Sequence, residues 1–448
     1  MSMRSRAADA ADAFRTQLWP VPVLAILVAL VAGVLLPQLD TAIDDHLSEV
    51  VSSYLFGGGA SAARTVLDAI ASSLITVTSL TFSLTVVTLQ LASGQFSPRL
   101  LRTFTRDRFV HVTLGLFLAT FVYALTVLRT VRSPDEQQEQ FVPQVSVTLA
   151  FALAVASVVT LVLFLAHLAR EIRVETMVRS VHRDASSTVS RLLTEPWDTA
   201  AEDLPSPPPW AALVVAQQSG FLTSVDMQGL TDAVTEQDGL VRIDQLPGGF
   251  VVRGTPLGCC WVRSGSDTTS VPDDLVECVG RFLTIGVERT DTQDFAFGLR
   301  QLTDVAAKAL SPGVNDPTTA IHALGHTSAL LCEIAGRDLS DQVHRDEEGV
   351  VRVIRRRPTF DSLLDEAVAQ PRRYGAADPA VLTRIMALLR EVAWSARTPD
   401  HGRSVSRQLD RLRGTIASAD FDRTETDELG REARAVTAAL EGRWPFGR

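Results

Sequence analysis

The stretch AIASSLITVTSLTFSLTVVTLQLASGQFSP, residues 69–98, contains no Asp, Glu, Lys or Arg in 30 positions. Crossing the roughly 30 Å of a bilayer's hydrocarbon core takes about 20 helical residues, so this run is long enough with residues to spare. Three further windows share the property: 16–39, 109–128 and 140–169, of 24, 20 and 30 residues. Four transmembrane helices are therefore expected within residues 18–169, spanning about 18–39, 66–94, 109–128 and 144–168. A cleavable leader accounts poorly for the first, whose apolar run is framed by Pro20, Pro22 and Pro37 and leads into acidic residues with no small-residue cleavage site.

Outside these windows the chain changes character. Of 448 residues 46% are hydrophobic and 21% charged, which sets aside disordered and collagenous classes. Residues 1–180 hold 13 Arg, no Lys and 13 Asp plus Glu, so the net charge of −10 belongs entirely to the remainder, with 29 basic and 39 acidic residues. An apolar half is thus joined to an acidic one. Cys259, Cys260, Cys278 and Cys332 show no C-x-x-C spacing, so neither a zinc site nor a disulfide framework is indicated, and no cofactor is expected.

Arginines flanking the apolar windows set the expected orientation, because cytoplasmic loops retain positive charge. Arg4, Arg6 and Arg15 precede the first span. Arg99, Arg102, Arg106 and Arg108 follow the second, and Arg170, Arg173, Arg179 and Arg183 follow the fourth. The intervening loops are acidic, with Asp40, Asp44, Asp45 and Glu49 in one and Asp135, Glu136 and Glu139 in the other. A plasma-membrane protein with the segment 1–17 and the C-terminus both cytoplasmic is expected. The acidic group around Asp40 reads as a solvated loop.

Within the second span Ser and Thr recur at helical spacing. At 100° per residue Ser72, Thr76, Ser79, Ser83 and Gln90 fall within about 60° of one another, while Thr78, Thr81, Thr85 and Thr88 form a stripe on roughly the opposite side. Two arrangements account for such a helix. Hydroxyls can bond their own i−4 carbonyls in a closely packed bundle, as the small residues Ala25, Ala29, Gly33, Gly115, Ala119, Ala152 and Ala156 of the other spans suggest. Alternatively, in a ring of identical subunits, one stripe lines a water-filled path. No ionisable side chain lies mid-span, which argues against proton- or ion-coupled transport but not against a passive channel. Arg99, Arg102 and Arg106 then form a basic face at the inner mouth.

After the fourth span, apolar residues continue at i, i+3, i+4 through Val181, predicting a helix that runs on to about Leu193 before Pro205, Pro207, Pro208 and Pro209 break it; residues 170–209 read as this extension and a Pro-rich linker. Short β-rich runs between turn signals follow (212–216, 220–225, 240–243, 250–252 and 259–262), around one helix at 227–236, giving a small β-rich module over 210–272. Residues 273–448 return to helical periodicity, with a hairpin near 343–354. The fold class expected is an integral membrane α-helical domain plus a cytoplasmic α+β region, in which the β-rich module precedes a helical domain.

Specific local motifs occur at three places: QFSPR within Gln90 to Arg99; Glu288, Arg289, Thr290, Gln293, Asp294, Phe297, Gly298 and Arg300; and ALSPGVNDPTTA at 309–320. Together they resemble a bacterial family of predicted membrane proteins classified as domain of unknown function 2254. The resemblance covers nearly the whole chain and implies a multi-pass bacterial membrane protein with a cytosolic C-terminal region. It assigns no role to individual residues. In the last motif Pro312 and Gly313 turn the chain, and Asp316 with Pro317 supplies the N-cap and first-turn proline of a new helix.

Gln293, Asp294, Arg300, Asp304, Lys308, Asn315 and Asp316 are candidates for a polar junction where two helices meet, serving packing, a subunit contact or a small ligand. No nucleophile elbow, Walker loop, dinucleotide fingerprint or H-E-x-x-H motif is present, so no enzyme is expected. Arg355, Arg356 and Arg357 make the only compact basic run of the acidic half, too little for nucleic acid. The expected partners are the lipid bilayer, further copies of the chain, and ions or a small ligand. The function expected is a homo-oligomeric channel or pore-like protein lined by the second span, the alternative being a membrane-anchored module whose cytoplasmic part binds a ligand or partner.

Overall fold

The computed structural model of the protein describes residues 19–43, 55–95, 107–132, 141–171, 173–193, 204–263 and 271–444. The segment 1–17, Asp44, Asp45, Glu49, and Arg99, Arg102 and Arg106 of the expected inner-mouth face lie outside them. The chain divides into two compact units that meet near Arg173.

The first unit consists of four helices long and apolar enough to cross a membrane: α1 (Pro20–Ile43), α2 (Ala60–Gln95), α3 (Arg108–Leu128) and α4 (Gln144–Glu171). Pro20 and Pro22 fall in the first turn of α1, where a missing N–H costs nothing. Pro37 lies inside α1 and leaves the Gly33 carbonyl without its helical donor. Small residues let α1 and α3 approach closely. A Cβ on Gly33 would stand 2.8 Å from Thr126 Cβ, and one on Gly115 would stand 3.5 Å from Ala25 Cβ. The core gathers Ala29 of α1, Leu67, Ile70 and Leu74 of α2, Phe117, Tyr123 and Ala124 of α3, and Val147 and Ala150 of α4.

Asp40 is not a solvated loop residue. It is 5% exposed, and its carboxylate accepts from the backbone N–H groups of Val145 (3.2 Å) and Ser146 (3.0 Å) and from the Ser146 hydroxyl (2.7 Å). Those N–H groups belong to the first turn of α4, whose own preceding residue, Pro143, has no side-chain acceptor. The end of α1 therefore caps the start of α4 from 105 residues away in sequence, and the charge sits where the α4 dipole favours it.

The second unit starts with α5 (Val174–Leu192). The expected continuous helix through to Leu193 is instead two helices. Arg173 donates to the Arg170 carbonyl (3.2 Å), a tighter turn that ends α4, and the buried face of α5, with Met177, Val181, Ala185 and Val189, packs within the second unit. It lies close against α8 (Ala296–Ala309), where a Cβ on Gly298 would lie 2.2 Å from Ala185 Cβ.

Eight strands follow among the described residues, against the five-strand module and hairpin expected. β1 (Ala212–Val215), β2 (Gly220–Val225), β3 (Gly239–Ile243), β4 (Phe250–Val251), β5 (Pro256–Val262), β6 (Leu283–Gly286), β7 (Gln342–Arg345) and β8 (Val351–Arg355) form two sheets, ordered β1-β5-β3-β8-β7 and β4-β2-β6. All described pairings are antiparallel except β3 with β8, where Val241, Arg242 and Ile243 stand opposite Val353, Ile354 and Arg355. The module expected over 210–272 thus does not close on itself. It borrows β8 from beyond 340, because the β3 edge next to β5 on one side would otherwise leave its hydrogen-bonding groups unpaired on the other. Leu222, Leu230, Val241, Ile243, Leu257, Leu275, Val279 and Val353 share one core with α6 (Met227–Thr235) and α7 (Asp273–Arg281).

Among the remaining helices, α9 (Pro317–Ala335), α10 (Phe360–Tyr374), α11 (Pro379–Ser395), α12 (Pro399–Ala417) and α13 (Arg423–Leu440), α9 packs on α8 and α11, α10 on α8, α12 on α10 and α11, and α13 on α11. Their boundaries follow capping chemistry: Asp316, Thr359, Asp378, Thr398 and Asp422 each accept a backbone N–H of the first turn of the helix they precede.

Replacing Asp40 with Ala should remove the cap of α4 and lower the stability of the purified protein by about 1–2 kcal/mol. A melting midpoint that stays at the unsubstituted value would show that water or another group caps α4.

Candidate functional site

Two places in the molecule hold polar groups that packing alone does not explain. The first is the outer face of α2. Helix geometry sends the two hydroxyl stripes to opposite sides, and the bundle decides which is covered. Thr78, Thr81, Thr85 and Thr88 are buried, and Thr78, Thr85 and Thr88 donate to the carbonyls of Leu74, Thr81 and Leu84 at 2.6–2.8 Å. Ser72, Thr76, Ser79, Ser83 and Gln90 all point away from the other three helices and are exposed. Ser72 and Thr76 bond the carbonyls of Asp68 and Ser72. Ser79 and Ser83 make no hydrogen bond among the described residues. The stripe extends about 27 Å along the helix, close to the thickness of the hydrocarbon core.

The second place lies at the start of α8. Gln293 uses its whole amide as a clip: Oε1 accepts from the Val225 N–H (3.0 Å) and from Arg355 Nη1 (2.6 Å), and Nε2 donates to the Val225 carbonyl (3.0 Å). Asp294, 4% exposed, accepts from Arg289 Nε at 2.5 Å, and the Arg289 guanidinium lies 5.4 Å from the Phe297 ring centroid. Gly248, in the turn between β3 and β4, closes over this pair with φ +80°. A Cβ there would fall 1.8 Å from Asp294 Oδ2. Further along α8, Arg300 pairs with Asp304 (2.9 Å) and approaches Glu366 of α10 (3.7 Å). Burial pushes the Glu366 carboxyl above its ordinary pKa, against the pull of Arg289 and Arg300.

The seven residues expected at one polar junction are not gathered together. Gln293 and Asp294 precede α8, Arg300 and Asp304 lie within it, and Lys308, Asn315 and Asp316 sit at or beyond its far end, about 20 Å away by the rise of a 14-residue helix. Asp316 spends its carboxylate on the first turn of α9, accepting from the Thr319 N–H (3.0 Å) and hydroxyl (2.6 Å), and is held below the usual carboxylate range by those bonds. Asn315 is exposed in a left-handed turn at φ +50°. Sequence spacing pointed to Arg289, Gln293, Asp294 and Arg300, but not to their partners Val225, Gly248, Arg355 and Glu366, which come from distant segments.

A wide cleft of about 1490 Å³ opens beside the N-terminal ends of α10 and α12. Two ion pairs lie within its lining, Arg407 with Asp361 and Arg403 with Asp400. Thr359 and Thr398 satisfy the helix starts. Among the described residues no group of three or more His, Cys, Asp or Glu side chains is placed to hold a metal ion.

Residues 15–391 match the family model described as predicted membrane protein, domain of unknown function 2254. The chain belongs to this family. It is 36% identical over 411 residues to a protein of Mycobacterium tuberculosis and to one of Mycobacterium bovis, both named uncharacterized; the match covers 91% of this chain and 78% of each relative. No solved structure matches. The family and the four apolar helices make this a bacterial multi-pass membrane protein, so the exposed stripe of α2 is a feature of a membrane helix.

Gly248→Ala should force Asp294 and Arg289 apart and strain the turn, lowering stability by more than about 1 kcal/mol. Unchanged melting would mean that the turn lifts away from the ion pair without cost.

Proposed function

We propose that the protein is a homo-oligomeric channel or pore-like protein of the bacterial inner membrane, with α2 toward the symmetry axis. The exposed face formed by Ser72, Thr76, Ser79, Ser83 and Gln90 carries this proposal. Facing lipid, the Gln90 amide and the free hydroxyls of Ser79 and Ser83 lose hydrogen bonds to water without replacement. Facing further copies of α2, the same groups meet each other or a column of water, and rings of hydroxyls form a polar path that needs no buried charge. The covered threonine stripe and the close approach of α1 and α3 make the four-helix unit a packed wall around that path.

In this proposal both termini face the cytoplasm, Arg99, Arg102 and Arg106 ring the inner mouth, and the C-terminal unit serves as assembly platform and gate. The protein has no catalytic step. Ion preference is left open, because the basic mouth and the acidic C-terminal unit pull in opposite directions. A second role, ligand binding by the C-terminal unit, is favoured by the buried Arg355 at the end of β8.

Single-particle imaging of the protein in nanodiscs should show a ring of four or more subunits with α2 innermost, and Ser79→Asp or Ser83→Asp should alter conductance after reconstitution. A monomer, or a dimer with this face packed between helices, would exclude the pore.

A further inference from the structure

A second cavity of the C-terminal unit is lined by charge that the fold does not balance. It has a volume of about 20 Å³, room for a single atom the size of a water molecule or a halide. Pro247 of the β3–β4 turn, Gln293 and Asp294 ahead of α8, and Arg355, Arg356 and Arg357 at the end of β8 form most of its wall.

The four charged groups differ in how they are neutralised. Asp294 is held by Arg289 at 2.5 Å. Arg356 is half exposed and reaches Asp244 at 3.2 Å. Arg357 donates to the carbonyls of Asp338 (3.0 Å) and Leu192 (3.1 Å), and the carboxylates of Asp338 and Asp341 offset its charge. Arg355 differs from all of these. It is 7% exposed, its two terminal nitrogens donate to the neutral amide oxygens of Gln293 and Gln342, and its Nε is buried with no hydrogen-bond partner among the described residues. Among those residues no carboxylate pairs with it. A buried cation with neither a counter-charge nor a full set of acceptors is costly to fold. Burial and the neighbouring charge of Arg357 push its pKa down to about 10, which still leaves it protonated at neutral pH.

We propose that this cavity binds a monatomic anion of chloride size, held by Arg355, with Arg356 and Arg357 supplying a positive rim. The volume of about 20 Å³ matches one such ion. The ion neutralises Arg355 and ties the end of β8 to the loop ahead of α8, where the five-stranded sheet meets the helices. The site is independent of what α2 lines, so the two proposals stand or fall separately.

The test uses the full chain in nanodiscs, in gluconate buffer at constant ionic strength, titrated with chloride and followed by chloride NMR line broadening and by thermal melting. Saturable broadening and a rise in the melting midpoint that sulfate and gluconate do not reproduce are expected. Arg355→Gln should weaken binding at least about tenfold, through loss of a charge-assisted contact, whereas Arg253→Gln, at an exposed position between β4 and β5 outside the cavity wall, should leave it within about twofold. Absence of saturable broadening, an equal response to sulfate, or a folded Arg355→Gln protein that binds chloride like the unsubstituted one would overturn the site. Should Arg355→Gln fail to fold, the chloride-against-sulfate comparison on the unsubstituted protein decides.

Discussion

Backbone hydrogen bonds inside hydrocarbon have to be made within the protein, because no water is there to complete them. The first unit is built around that requirement. Its four helices satisfy their interiors by themselves except at the Gly33 carbonyl opposite Pro37, and the hydroxyls of Thr78, Thr85, Thr88, Thr120 and Thr126 fold back onto carbonyls one turn earlier in their own helices. The helix ends are where the requirement becomes tertiary. Asp40 supplies to α4 the acceptor that Pro143 lacks, and the Tyr123 hydroxyl donates to the Ser146 carbonyl at 3.2 Å in the same turn. One buried carboxylate thereby links the end of the first helix to the start of the fourth.

The same constraint gives the outer face of α2 its meaning. Polar side chains on the inside of a bundle are ordinary, since neighbours or their own backbone absorb them. A row of exposed Ser, Thr and Gln about as long as the membrane is thick is unusual on a surface otherwise composed of residues such as Leu24, Val28, Phe151 and Val162. Self-bonding at Ser72 and Thr76 reduces the cost but does not remove it at Ser79, Ser83 and Gln90. Physical reasoning from that imbalance leads to other copies of the chain.

In the second unit the organising element is the junction at the start of α8. Gln293 joins the end of β2 to the end of β8, Gly248 closes over Asp294, and Gly298 lets α5 lie against α8. Gln293, Asp294 and Gly298 belong to the motif region that carried the family resemblance, and the structure gives each of them a packing or hydrogen-bonding task. Arg355 is satisfied only in part by the same junction, which is why an anion is the natural complement there.

Helix-forming apolar windows, the two stripes of α2, the cap at Asp316 and the short strands from Ala212 to Ile243 were all legible in the sequence, because each follows from periodicity or chemistry within a few residues. What depended on long-range pairing was not. β8 looked like one arm of a local hairpin until its parallel partner β3 was seen, about 110 residues earlier. Asp40 looked solvated because its partners lie beyond residue 140. The Arg355 to Arg357 run read only as a basic run too small for nucleic acid, and the burial of one of its three members was not legible. Sequence by itself determined which faces each helix owns; the tertiary structure decided which face is covered and which charge is left unmatched, because burial and counter-charge are properties of neighbours in space rather than along the chain.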